Sequence, residues 1–506
     1  MSHKHNSAFP AALIRTLSLA ALFACVITVQ AHADVGVILN ETLNESAGRI
    51  TGSGHTAVYF SRICPESPVR LRLCGPGENG SVMSNYTNLG EDTRFEWNIV
   101  PLNMYVYGAT DPANRPVFGT EKIKSLLEAR YREETLSSYC TVATCLKSDK
   151  AEWREMVGAG MVRSMYIFVV ETSLQQDLDL IAKFNALPNQ NHFNGMTHNC
   201  ADFTKDVIDT YFPHAAHRDV INDFGMTSPK AVARTFSRYA QSHPESYFRV
   251  MHFSQLPGTI KRSTEPHSGT EQLYHSKKLL VPMVIFADHE LPIAAAAYLI
   301  TGRFNPEREF EQHATLEPAQ LSDSSASTSI ATNVAKNEFA VDTSTQLEPV
   351  QIQQREEILG APGEWQKYRK QFDTIVAQAV QDEIIPNRGA VSRVFKRMDS
   401  AGRPFAAADG SLWLEISDAS GTAKVGLSAS NIFAHDSDPR LAFELLLARV
   451  DAELKSPKHS RETMMEFKED WALVEYARTR LATKPVVESL PTPDSCSTRT
   501  SAAGAK

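Results

Sequence analysis

From Asp34 to Glu317 short apolar runs with strand character alternate with longer stretches whose apolar positions recur every three or four residues. His55–Ile63 (HTAVYFSRI) and Val69–Leu73 (VRLRL) predict two strands, with Pro65-Glu66-Ser67-Pro68 as the turn between them. Phe95–Val100, Met104–Tyr107 and Met165–Glu171 (MYIFVVE) read as further strands, and Lys122–Ser137 as a helix. Asp177–Leu187 predicts another helix, carrying Leu178, Ile181, Phe184 and Leu187 at three-residue spacing. Further on, Phe203, Val207, Ile208, Tyr211 and Phe212 fall on one stripe closed by Pro213, which places Cys200 in the first turn of an amphipathic helix.

The pattern changes after Glu317. Pro318–Val350 holds ten Ser or Thr residues and one aromatic, Phe339, too little apolar surface to offset chain entropy. That predicts a linker over residues 318–353. Beyond it Trp365, Tyr368, Phe372, Ile375, Val376 and Ala379 recur at helical spacing, and Ser411–Ser428 (SLWLEIS-DASG-TAKVGLS) predicts a hairpin. Two helices follow, over Pro439–Leu454 and Arg461–Leu481. The expected second domain is therefore helix-rich, spans 354–485, and carries no motif to which chemistry attaches. Residues 486–506 are rich in Pro, Thr and Ser and read as a tail. There is no internal repeat.

At the other end, Lys4 and Arg15 precede or border an apolar core, Leu17–Val29 (LSLAALFACVITV), and Ala31-His32-Ala33 supplies a small-x-small cleavage pattern. Residues 1–33 thus read as a secretory signal peptide, and the mature chain as secreted or periplasmic. A lipoprotein-type site at Leu22-Phe23-Ala24-Cys25, which would anchor the chain through Cys25, ranks second because Phe23 is bulky and an Ala-x-Ala site follows. Composition narrows the class further. At 42% hydrophobic and 22% charged the chain is not wholly disordered, and no downstream stretch of eighteen apolar residues lacks a charge. The net charge of −8 lacks the basic footprint of a general nucleic-acid binder. Removing the leader's two basic residues from 51 leaves 49 against 59 acidic, so the mature chain is more acidic still.

Export changes the meaning of the seven cysteines. Cys64 and Cys74 flank the Pro-Glu-Ser-Pro turn, and Cys140 and Cys145 bracket Thr-Val-Ala-Thr, so both pairs are disulfide candidates. Cys496 lies in the tail. Cys200 is left over at a helix start, where backbone N–H groups and the positive end of the helix dipole favour a thiolate. A buried structural thiol is the competing account of the same residue.

Gly54-His55 at the opening of a strand, followed much later by Asn199-Cys200 at a helix start, resembles the permuted branch of the papain-like NlpC-type superfamily, which includes the lecithin retinol acyltransferase-like proteins. In that branch the histidine strand precedes the cysteine helix. The resemblance covers roughly residues 34–215, extending to 317 at its widest, and none of the second domain. It implies an α+β fold, a papain-like circularly permuted NlpC-type domain over 34–317 with an antiparallel sheet and packed helices. It also implies Cys200 as nucleophile, His55 as general base, a thioester acyl-enzyme, and an oxyanion held by the backbone N–H of Cys200. A third polar residue orients the histidine in such sites, and Glu78, Asn79 and Ser81 are the candidates. The chain departs from the acyltransferase-like pattern in having no second histidine after Leu73.

The function expected on this basis is a thiol hydrolase, a cysteine peptidase or amidase acting on peptide or peptidoglycan-like amide bonds. A non-catalytic envelope protein on a papain-like shell and a lipid acyltransferase are the alternatives. No cofactor motif occurs. Asp288-His289-Glu290 are adjacent residues that point apart, which argues against a metal site. The apolar runs Leu279–Ala287 and Leu291–Ile300 read as a buried core pair, or else as a hairpin beside a membrane. His198, two residues before Cys200, is placed to approach the site, but packing or hydrogen bonding within the loop is the favoured reading. Asn40, Asn44, Asn79 and Asn85 lie in glycosylation sequons. Oligomeric state is left open.

Overall fold

The computed structural model of the protein describes residues 33–43, 54–85, 95–139, 156–194, 197–219, 222–223, 225–275, 298, 303–313, 362–419, 421–455 and 461–482. Most of the leader, Cys140, Cys145, Cys496, the 318–353 linker, the 486–506 tail, Asn44, Asp288-His289-Glu290 and nearly all of the two apolar runs lie outside these residues. Two compact units emerge. The first comprises Met1–Thr110, Leu127–Gln255 and Lys261–Glu317, and the second Asp111–Leu126, Leu256–Ile260 and Pro318–Lys506. No helix among the described residues is long and apolar enough to cross a membrane.

The first unit is mixed α and β, built on an antiparallel sheet. Its strands are β1 (Ala33–Asn40), β2 (His55–Phe60), β3 (Ile63–Ser67), β4 (Arg70–Leu73), β5 (Ser81–Ser84), β6 (Asn98–Pro101), β7 (Met165–Thr172) and β8 (Arg249–Phe253). Six of them form one sheet in the order β6-β5-β2-β1-β7-β8, while β3 and β4 form a separate two-stranded ribbon. Ala33, the last residue of the expected leader, is the first of β1 and is buried opposite Thr172. The helices are α1 (Leu102–Tyr107), α2 (Glu121–Tyr131, which begins in the second unit's segment), α3 (Ala159–Val162), α4 (Leu174–Ala186), α5 (Cys200–Tyr211), α6 (Pro229–Ser242), α7 (Gly269–His275) and α8 (Pro306–His313).

Strand alternation divides the sheet into two faces. Val35, Val37, Leu39, Val58, Phe60, Met83, Ile99, Tyr166, Phe168 and Val170 pack with Leu180 of α4, with Ala201, Phe203, Val207, Ile208 and Tyr211 of α5, and with Val232, Ala233 and Phe236 of α6. Their intervening neighbours, among them Ile38, Ala57, Val82, Val100 and Ile167, are buried on the other face. There α1 contributes Tyr105, whose hydroxyl accepts from Asn40 Nδ2 at 2.8 Å. Both faces are covered, so the central strands read as continuous apolar runs rather than alternating ones.

Three local expectations shift. Met104–Tyr107 is helical rather than extended, because Pro101 starts the turn and Gly108, in the left-handed region at φ 73°, ends it. The turn expected at Pro65–Pro68 moves to Pro68–Val69; β3 continues to Ser67, with an irregular register between Pro65 and Ser67 that a two-stranded ribbon tolerates. On α4 the buried residues are Asp177 and Leu180, while Leu178 and Leu187 are exposed. Ile181 and Phe184 pack against the core beside Leu180, so the buried face is Asp177, Leu180, Ile181 and Phe184, with Leu178 and Leu187 at its margins. Cys64 and Cys74 form a disulfide that ties the ribbon together.

The second unit contains α9 (Pro362–Gln381), α10 (Arg388–Ala401), a three-stranded sheet ordered β11-β10-β9 from β9 (Gly402–Ala406), β10 (Leu412–Asp418) and β11 (Gly421–Gly426), then α11 (Pro439–Leu454) and α12 (Arg461–Ala482). The hairpin expected over Ser411–Ser428 is β10–β11, with β9 added at its edge.

Candidate active site

The helix that carries Cys200 starts where its sequence dictates. Asn199 is the N-cap, and its Oδ1 accepts the N–H groups of Ala201 at 2.8 Å and Asp202 at 3.1 Å. Asp202, three residues on, returns a bond to the Asn199 N–H at 3.3 Å, closing a capping box. The same carboxylate accepts from Thr227 Oγ1 and, at 3.0 Å, from Arg218, whose Nε reaches Thr227 at 3.0 Å. Asn199 Nδ2 donates to the Thr227 carbonyl at 3.1 Å. The first turn is thus locked on three sides, and the apolar stripe from Phe203 to Tyr211 presses it onto β2 and its neighbours.

This placement brings the Cys200 sulfur to the opening of β2. Its neighbours include the backbone N–H of Thr56, the residue that follows His55, and the backbone N–H of Ala201. Thr56 is fixed in turn by a bond from its hydroxyl to the Ile38 carbonyl at 2.7 Å. Burial pushes the Cys200 thiol up to about 11, and the Asp202 carboxylate adds to that push, while the N–H groups of Thr56 and Ala201 pull against it. Burial thus opposes the thiolate that a helix end favours, and at a value of about 11 the group is a neutral thiol at neutral pH.

His55 is buried at the first position of β2. Its position depends on Gly54, which has φ +72° and lies so close to the Asn40 carbonyl that a Cβ would stand 2.3 Å from that oxygen. Only glycine fits there, which gives the Gly-His pair a physical reason. His55 Nε2 lies 2.9 Å from Ser84 Oγ on β5, the strand beside β2.

The residues proposed from sequence to orient the histidine are placed elsewhere. Glu78 forms a two-pronged pair with Arg72 at 2.6 and 2.7 Å, and the Arg72 guanidinium holds its carboxyl down at about 2. Ser81 donates to the Ile63 carbonyl. Asn79 is half-buried in the turn before β5. Ser84, not among those three, is a side chain that meets the imidazole. His198 is exposed, with Nδ1 3.3 Å from Thr197 Oγ1 and its ring 5.2 Å from that of His192, which itself reaches Glu96 at 3.1 Å. Burial raises the Glu96 carboxyl, against the pull of those two histidines. Among the described residues the one His/Cys/Asp/Glu group of metal-site geometry is Cys64, Cys74 and Glu78, and two of its members are the disulfide.

The ring of His55 also has polar company. Asn40 stands opposite His55 across β1–β2, and Asn98 stands opposite Ser84 across β5–β6. Asn85 follows Ser84 in the chain. All three asparagines are buried, so the sequons at Asn40 and Asn85 are not glycan acceptors in the folded chain. Comparison with family models, with curated proteins and with solved structures gives no match for this chain.

Proposed function

We propose that the first unit is a thiol hydrolase of exported, peptidoglycan-like or related amide bonds, with Cys200 as nucleophile and His55 as general base. One observation carries this reading: the sulfur sits at a capped helix start against the peptide that joins His55 to Thr56, with the His55 ring held by Ser84 from the adjacent strand. Because the thiol is neutral at rest, His55 has to take its proton as the sulfur attacks the carbonyl carbon. The C–N bond then breaks, the amine leaves with that proton, and water cleaves the thioester. The N–H groups at the helix start and at Thr56 are the donors nearest the sulfur for the developing oxyanion.

The test compares the full chain with Cys200→Ala and His55→Ala on muropeptides and on simple peptide amides, following release of a free amine. Loss of release in both variants supports the reading, and release that survives Cys200→Ala overturns it. A second reading, a non-catalytic envelope-binding protein, is favoured by the high thiol pKa alone. It predicts that the wild type releases no amine from either substrate class while Cys200→Ala retains full binding to peptidoglycan.

A further inference from the structure

Among the described residues four large apolar side chains are exposed: Leu174 at 49%, Leu178 at 40%, Leu187 at 54% and Tyr247 at 61%. Three of them gather at one end of the first unit. β7 ends at Thr172, opposite Ala33 of β1, and α4 starts two residues later. Leu174 therefore stands at that end, with Leu178 one turn further on the same helix face. β8 runs antiparallel to β7 with Arg249 opposite Val169, which carries Tyr247 toward the same strand end. Leu187 lies past the other end of α4, roughly 20 Å away by helix rise.

Printed contacts in the fold tie the three together. Gln176 Nε2, between the two leucines, donates to the Tyr211 carbonyl at 3.2 Å, in the last turn of α5. The Tyr211 ring stacks on Phe212 at 6.2 Å, and Phe212 meets Tyr239 of α6 at 6.0 Å. Tyr239 in turn stacks on His243 at 4.1 Å, at the start of the single turn that leads to Tyr247. Phe212 and Tyr239 are half-buried. Tyr247 itself has φ 49°, in the left-handed region where Gly or Asn sits more easily, so neither packing nor backbone preference accounts for a tyrosine there. Grouped exposed leucines edged by tyrosines are the side chains of a membrane–water interface.

Two observations name the occupant. The apolar core of the leader, Leu17–Val29, is separated from Ala33 by Gln30, Ala31 and His32 alone. A leader seated in a bilayer therefore holds the first residue of β1 within about 14 Å of lipid, four residue steps at full extension. Ala33 is at the end that carries the patch. The second observation is charge. Arg249 at this edge is paired with Asp34 and, at 3.4 Å, with Glu171, so the edge offers apolar and aromatic contact rather than a cationic face for anionic headgroups.

We propose that the end of the first unit bearing Leu174, Leu178 and Tyr247 docks on a zwitterionic lipid bilayer through apolar contact. The docked orientation sets the cysteine site apart from the lipid. α5 runs from Cys200 to Tyr211, about 17 Å of helix, and β1 runs from Asn40, opposite His55, to Ala33. Cys200 and His55 thus lie toward the end away from the bilayer. That consequence rests on the hydrolase reading, and it directs the site to amide bonds outside the membrane rather than to acyl chains within it.

The experiment is hydroxyl-radical footprinting of the full chain, read side chain by side chain by mass spectrometry, with and without phosphatidylcholine vesicles. Vesicles should slow oxidation of Leu174, Leu178 and Tyr247 by about threefold or more, protect Phe212 and Tyr239, leave Leu187 unchanged, and do so equally in low and high salt. Absence of protection, or equal protection of Leu187, overturns the proposal. So does protection that grows with protein concentration in the absence of vesicles, which assigns the patch to a second copy of the chain. Protection that requires phosphatidylglycerol and is lost in salt overturns it as well, in favour of electrostatic adsorption. Leu174→Gln/Leu178→Gln/Tyr247→Gln alters exposed positions, so the thermal midpoint should hold while vesicle protection of Phe212 and Tyr239 disappears; protection that survives the triple substitution contradicts docking through this patch. If the patch is protected but amine release survives Cys200→Ala, the docking stands and the hydrolase reading falls.

Discussion

The state of the Cys200 thiol can be tested without a substrate. With the thiol pushed up to about 11, roughly three molecules in ten thousand carry a thiolate at pH 7.5, about a hundredfold fewer than for a cysteine at the ordinary value of 9.0. Alkylation by iodoacetamide proceeds through the thiolate, so its rate at Cys200 should climb about tenfold per pH unit from pH 7 to 10 without a plateau. Peptide mass spectrometry reads Cys200 separately from the other cysteines, and Cys64 and Cys74 are held as a disulfide. The same shift carries a stability consequence. Folding raises the thiol pKa above its unfolded value, so the native state prefers the protonated group. Stability is unaffected at neutral pH and falls as pH rises from about 9 toward 11. The full two-unit difference corresponds to about 3 kcal/mol. Cys200→Ala should flatten that alkaline decline in urea midpoints. A labelling rate that levels off at or below pH 8 would refute the reasoning, because it would mean that a thiolate–imidazolium pair already exists at rest.

Gly54→Ala places a Cβ 2.3 Å from the Asn40 carbonyl at a φ that L-residues rarely adopt, and should cost on the order of 3 kcal/mol by urea denaturation; a wild-type midpoint would contradict the close approach. Lys230 and Glu271 form a buried ion pair at 2.8 and 2.9 Å, with Glu271 also accepting from Ser268 N–H and Tyr298. Lys230→Met should therefore cost about 3–5 kcal/mol, and Lys230→Met/Glu271→Leu should recover most of it, as read by the thermal midpoint. Replacing Cys64 and Cys74 by alanine removes a bridge spanning ten residues and should lower the chemical midpoint by an amount on the order of 2–3 kcal/mol.

Much of the first unit could be read from the chain because its signals are local. The helix over Cys200–Tyr211 follows from a cap residue, an acidic residue three positions on, and an apolar stripe, all within thirteen residues. Met165–Thr172 was visible as a continuous apolar run. Met104–Tyr107 reads as a strand from sequence because a short apolar run has no period of its own, and only its Pro101 and Gly108 borders decide between strand and helix.

The partner of His55 was not legible for a different reason, which concerns topology. The residues considered, Glu78, Asn79 and Ser81, follow the next strand in sequence, but that strand belongs to the β3–β4 ribbon, an excursion outside the main sheet. The strand that borders β2 on that side begins at Ser81 itself, as the four-residue segment Ser81–Ser84, too short to show alternation. Its last residue, Ser84, reaches the ring because the register sets Val58 against Met83 and Phe60 against Ser81. The asparagines around it were hidden by the same logic and by propensity, since asparagine is depleted in strands and invites a loop reading. Three strands, β1, β5 and β6, bring Asn40, Ser84 and Asn98 to one end of one face, where propensity and burial both argue against finding them. That conflict, located beside His55, is a physical reason to look for chemistry at this end of the sheet.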